Sequence, residues 1–139
     1  RAQLYTGVSQ LPRLLPDVKI PIIGNGDIKT RSDVKNVLDL GYWGAMVGRA
    51  MLGRPWVLGE LAGLCVAPRN VGAVVLQHLE YMLEYYGGRV APQMFRKHAA
   101  WYSGGMPNSA EFRIRVNQIS DANELRTEIS KFWGCASVI

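Results

Sequence analysis

The sequence predicts an α/β segment followed by an all-α segment, and three observations carry that reading. Nine of its 15 glycines fall at or before Gly63, among short apolar runs, whereas the remainder reads as helix after helix. Two apolar runs, Ile20–Gly24 and Gly44–Val47, lie about twenty residues apart with a helix-period segment between them. Each run stops at glycine beside a charged residue, in Gly24-Asn25-Gly26-Asp27 and in Gly48-Arg49.

Taken in order, Leu11, Leu14, Leu15 and Val18 suit a short helix interrupted at Pro16. Ile20 to Gly24 then reads as a buried strand. Thr30 is the expected N-cap of a helix with Val34, Val37 and Leu38 on one face and Gly41 just past its end. Gly44 to Val47 is the second strand. Strand, helix and strand at this spacing form a βαβ unit with parallel strands, both apolar throughout because both faces are to be covered. Pro55 marks the first position of a helix starting near Trp56, and a hinge is expected over Val66–Asn70.

Beyond the hinge, Val71, Val74, Val75, Met82 and Leu83 mark a long helix ended by Gly87-Gly88. A second helix runs from about Pro92 to Tyr102. Asn108-x-x-Glu111 and Asp121-x-x-Glu124 resemble capping boxes opening a third and a fourth, the fourth with Ala122, Leu125, Ile129 and Phe132 on its inner face. The division expected is residues 1–64 and residues 65–139.

Charge and cysteine usage narrow the classes. The chain of 139 residues carries 16 basic and 11 acidic residues, +5 overall. Residues 1–64 hold eight Lys/Arg against five Asp/Glu, and residues 65–139 eight against six. That balance suits a polyanionic partner, although no long Lys/Arg run is present. Cys65 and Cys135 have no metal-like spacing, so neither a disulfide framework nor a metal site is expected, and a reducing cytoplasm fits. The most apolar windows are broken by Arg49, Arg54 and Glu60, too short and charged for a membrane span. Because the chain begins at Arg1 rather than Met, it reads as a piece cut or trimmed from something longer.

Parallel strands bring the two glycine loops to one sheet edge. Glycine lets backbone approach an anion, a helix start behind the loop aims free N–H groups at it, and Arg49 adds a planar double donor. A phosphate-bearing ligand held by Gly26, Asp27, Gly48 and Arg49 is one reading. Ordinary βα turns in which Arg49 merely pairs with Asp27 are the other.

"IPIIGNGDI", followed by "MVGRAMLGRPW", resembles the C-terminal barrel signature of the tRNA-dihydrouridine synthases. "RAQLYTG" is similar to a family segment with Tyr5 and Gly7 in register, although Val8-Ser9-Gln10-Leu11 stands where a tryptophan often follows. "FRKHAAWY" with Phe112 and Arg113 is similar to the family's helical tail, most of all in the bacterial B-type branch.

The resemblance covers nearly the whole chain. It implies the last strands and helices of a (β/α)8 TIM barrel followed by a small helical bundle that docks tRNA. It implies FMN-dependent reduction of uridine to 5,6-dihydrouridine, with NADPH as reductant. Asn25, Gly26, Asp27, Gly48 and Arg49 take the positions that bind the FMN phosphate end. The protonating cysteine and the earlier barrel strands belong to a missing N-terminal part, so the piece alone is expected to be inactive.

On the second helix of the tail, Met94, Phe95, His98 and Tyr102 share one face, and Lys97 and Trp101 another with Arg96 beside them. With the family in view, Arg96, Lys97, Trp101 and Arg113 are the expected RNA-binding residues. Solvated cations with Trp101 packed into the next helix are the structural alternative. His98 reads as a core or hydrogen-bonded histidine, and Arg113 and Arg115 project to different sides. Two other functions stay open: another FMN- or phosphate-binding barrel oxidoreductase, and a non-enzymatic RNA-binding helical module. With its barrel faces uncovered, residues 1–64 alone are expected to aggregate, whereas residues 69–133 are expected to fold independently.

Overall fold

The computed structural model describes residues 19–64 and 67–134. The proposed helix around Leu11–Val18, both cysteines, and the Tyr5 and Gly7 positions lie outside the described residues. Contacts divide the chain into two compact units, residues 1–67 and 68–139.

In the first unit, β1 (Ile23–Asn25) and β2 (Gly44–Met46) flank α1 (Arg31–Asp39). The strands are parallel, with Ile23, Gly24 and Asn25 opposite Gly44, Ala45 and Met46. Strand β1 starts later than Ile20, beyond Pro21, which has no N–H to give a ladder. Backbone pairing nonetheless reaches one step back, where Trp43 N–H donates to Ile22 O at 2.8 Å. Thr30 caps α1 as expected, in a reciprocal box: its Oγ1 accepts from Asp33 N–H at 3.2 Å and Asp33 Oδ2 accepts from Thr30 N–H at 2.8 Å.

Ile28, Val37 and Tyr42 form the buried centre, with Ile22, Val34, Leu40, Ala45 and Val47 packed around it. Only the helix-side face of the strands is covered. Ile23 and Met46, on the opposite face, are each about half exposed (49% and 50%), in line with the expectation that residues 1–64 by themselves leave an apolar strand face uncovered. Leu38 also turns out toward solvent, so Val34 and Val37 alone carry the inner stripe of α1. After β2 the chain makes one 3-10 turn, Arg49–Met51, and a short helix, α2 (Val57–Ala62). That helix starts two residues after Pro55, with Trp56 at the N-cap position.

The second unit is four helices: α3 (Val71–Tyr86), α4 (Ala91–Tyr102), α5 (Ser109–Gln118) and α6 (Ala122–Trp133). Helix α3 packs on α4 and α6, α4 also on α5 and α6, and α5 on α6. Val75, Leu79, Phe95, Ala99, Phe112, Val116, Leu125 and Ile129 are buried between them. Glycine at position 87 closes α3 with φ +77°, as the Gly87-Gly88 pair predicts.

The two expected capping boxes differ from each other. Asp121 caps α6, accepting from Asn123 N–H at 2.8 Å and Glu124 N–H at 2.9 Å. Asn108 makes no side-chain cap, because its backbone is left-handed (φ 60°, ψ 16°) and an N-cap side chain reaches the first turn from an extended backbone. Among the described residues no helix is long and apolar enough to cross a membrane, and no group of three or more His, Cys, Asp or Glu could hold a metal ion.

Candidate functional site

Two places collect the residues singled out by sequence, one in each unit. In the first unit, Asn25 ends β1 and the chain turns through Gly26 (φ 151°) and Asp27 (φ 46°), both outside the range most side chains adopt. Aspartate is among the few residues that tolerate the left-handed region. Twenty-two positions on, Arg49 stands behind Gly48 at the end of β2, and its Nη2 donates to Asp27 Oδ1 in an ion pair. The parallel register therefore brings the two loops to one edge, and this pair spans them.

Both partners are open to solvent, Arg49 with 68% of its side chain exposed and Asp27 with 43%. Among the described residues nothing lies within 4 Å of where a Cβ on Gly48 would stand. The N–H groups of Gly48 and Arg49 have no protein acceptor among the described residues. Those features fit an anion such as the phosphate of FMN: open space against bare backbone, two unspent N–H donors and a guanidinium.

The helix starts contribute less than the sequence implies. Asp33 Oδ2 already accepts from Lys29 N–H and Thr30 N–H, and these bonds, the Lys29 one foremost, hold its carboxyl below the ordinary carboxylate range. A negative charge thus already occupies the start of α1. The element after Gly48 is a single 3-10 turn with almost no dipole to offer. Any anion here is held by loops and Arg49.

In the second unit, Lys97 and Trp101 share an exposed face of α4, one helical turn apart, with Trp101 39% exposed. Arg96 turns away from them. Its Nη2 donates to Ile119 O at 2.9 Å and reaches Ser120 Oγ at 3.5 Å, tying α4 to the α5–α6 joint, while its Nε is buried without a partner. Arg113 is exposed on α5 and donates from Nε to Ser109 O of its own helix at 3.1 Å. No hydrogen bond or ring contact joins it to Lys97 or Trp101. Arg115, on another side, pairs with Glu128 at 2.5 Å.

Behind Trp101 lies a cluster that sequence spacing does not reveal. The His98 ring meets Trp101 edge-on at 5.1 Å and His78 of α3 at 4.6 Å, and His78 Nδ1 lies 3.1 Å from Tyr102 Oη. His78 and His98 are twenty residues apart, and only the α3–α4 packing unites them. Met94 stays half-buried, so the face expected of Met94, Phe95, His98 and Tyr102 is real but centred on Phe95.

Burial, then the neighbouring His78 and Lys97, push His98 down to about 4, and burial pushes His78 down too. Unfolded histidines titrate near 6.5. Between there and about 4 the unfolded chain binds protons that the folded one refuses, so stability falls as pH drops through that window and is flat above it. With both rings only half-buried and partly screened, the loss is roughly 1–2 kcal/mol. Urea midpoints at neutral pH and in mild acid will show it, and H98Q will flatten the profile; an unchanged midpoint in wild type would refute the buried pair.

The profile of the family described as "Dihydrouridine synthase (Dus)" matches residues 1–134. A "Probable tRNA-dihydrouridine synthase" of Rickettsia conorii is 36% identical over 145 residues, covering 96% of this chain and 44% of the relative. "tRNA-dihydrouridine synthase B" of Xanthomonas campestris pv. campestris is 37% identical over 130 residues, covering 85% of this chain and 39% of the relative. The same-named protein of Pseudomonas aeruginosa is 30% identical over 145 residues. The chain spans less than half the length of these curated relatives. With the profile matching nearly all of its length, this chain belongs to the dihydrouridine synthase family.

Proposed function

We propose that these residues are the C-terminal part of a cytoplasmic tRNA-dihydrouridine synthase, which reduces uridine in tRNA to 5,6-dihydrouridine. In this reading residues 1–64 are the last part of a TIM barrel, completed by an N-terminal part outside this chain that also carries the protonating cysteine. Residues 65–139 are the tRNA-docking helical bundle. When bound, FMN supplies the hydride and is recharged by NADPH.

Asn25, Gly26, Asp27, Gly48 and Arg49 form the phosphate end of the flavin site. The backbone of Gly48 and Arg49 donates to phosphate oxygens, and the Arg49 guanidinium neutralises their charge. On α4, Lys97 meets tRNA phosphate and Trp101 offers a stacking surface to a base or sugar. Arg113 gives a further cation on α5. Arg96 serves the same surface mainly by fixing α4 to the α5–α6 joint.

One observation carries the reading: in a chain of this family, Gly48 follows one of two parallel strands with open backbone and N–H groups unspent among the described residues, beside the exposed Arg49 guanidinium, which ordinary turns closed by an Arg49–Asp27 pair do not require. The test uses the complete enzyme and two variants. R49A is expected to lower FMN affinity roughly tenfold or more, as loss of charge-assisted bonds does, and to leave tRNA affinity alone. W101A is expected to keep its flavin and lose about tenfold in tRNA affinity. Full flavin occupancy in R49A would remove Arg49 from the site, and unaltered tRNA binding in W101A would remove Trp101 from the interface.

A further inference from the structure

The ion pair between the two loops has a chemistry that the phosphate reading by itself does not explain. An ionised carboxylate only accepts hydrogen bonds, and so does a phosphate. Placed side by side as ligands of one another they repel, so Asp27 is ill suited to touch the phosphate. It is well suited to hold the cation that does. We propose that Asp27 is a positioning residue, which fixes the Arg49 guanidinium across the two loops and is not itself a phosphate ligand. The inference rests on the phosphate reading of the preceding subsection.

Three features of the site support it. Arg49 Nη2 is the nitrogen bonded to Asp27 Oδ1, which leaves Nε and Nη1 without a protein acceptor among the described residues and free for an anion. The side chain is largely exposed, so an untethered Arg49 would sample many rotamers and lose that freedom on binding. Asp27 itself is anchored by the backbone: the left-handed turn at Gly26-Asp27 is one that aspartate tolerates and most residues do not. The tether therefore has a fixed end and a working end.

The test measures FMN and riboflavin affinity of the complete enzyme, since riboflavin lacks the phosphate. D27G and D27N both suit a left-handed backbone. D27G is expected to weaken FMN about fivefold, the scale of one exposed charge pair, and to leave riboflavin and the urea midpoint unchanged. D27N keeps one acceptor without the charge and is expected to fall between D27G and wild type. In an R49A background D27G is expected to add nothing, because the residue acts through Arg49.

If both Asp27 variants bind FMN as tightly as wild type or more tightly while R49A loses its preference for FMN over riboflavin, Asp27 does not position Arg49 and the proposal falls. Additive losses in the double variant also overturn it, since they mean a separate route to the phosphate. If R49A itself keeps the preference, the phosphate reading fails and this inference falls with it.

Discussion

Replacing Phe112 with alanine is expected to cost the helical unit about 3–5 kcal/mol, the range for emptying a fully buried aromatic site. Phe112 has no exposed surface. Its ring stacks on Phe132 at 4.2 Å and meets Trp133 edge-on at 5.3 Å, so one side chain closes α5 against the end of α6. Both partners are on the last turn of α6, where little else can collapse into the space. A domain of this size has roughly 5–15 kcal/mol in all, so F112A should leave the unit close to unfolding at ordinary temperature. Urea titration of residues 68–134, followed by tryptophan fluorescence, will read the change as a lower midpoint. The more conservative F112L should recover most of it. A loss under about 1 kcal/mol for F112A would mean that α5 does not pack as described.

What the sequence makes legible follows from how local each feature is. Thr30, Asp121 and Gly87 set helix ends through bonds within one turn, and all three act where the spacing places them. Asn108 looks like the same signal, but its backbone is left-handed, a conformation asparagine tolerates, and from there its side chain does not cap the helix. Glycine loops at one sheet edge are equally legible, because parallel pairing is the economical outcome of strand, helix, strand. That Arg49 pairs with Asp27 is also within reach, since the pairing needs only the edge and opposite charges.

The helical unit hides more. Arg96, Lys97 and Trp101 are neighbours in sequence, yet Arg96 is turned into the α5–α6 joint by a carbonyl twenty-three residues away. The His78–His98 contact depends on the packing of α3 on α4, as does the bidentate pairing of Arg126 with Glu80 across α6 and α3. Periodicity says which face is apolar. It does not say which polar groups that face will meet.

Gly24 and Gly48 look alike in sequence, each ending an apolar run, and they should respond to alanine in opposite ways. A Cβ on Gly24 would stand 2.5 Å from Val37 Cγ1 and 3.1 Å from Tyr42 Cγ, closer than packed atoms tolerate. Val37 and Tyr42 are both buried in the small core beneath the sheet, and the closest clash, with Val37, is relieved by moving α1. Overpacking of this kind costs typically about 1–3 kcal/mol. Because α1 joins the two strands, its displacement also shifts the loops that follow β1 and β2. G24A is therefore expected to lower both the melting temperature of the complete enzyme and its flavin occupancy. A Cβ on Gly48 meets no atom of the described residues within 4 Å, so G48A is expected to fold without a clash at this position. If that space is where the phosphate sits, G48A loses flavin affinity all the same, with stability intact. Stability separates the two glycines: a G24A enzyme melting like wild type would refute the close packing of β1 on α1, and a G48A enzyme with full flavin affinity would show that the open face at Gly48 is not part of the phosphate site.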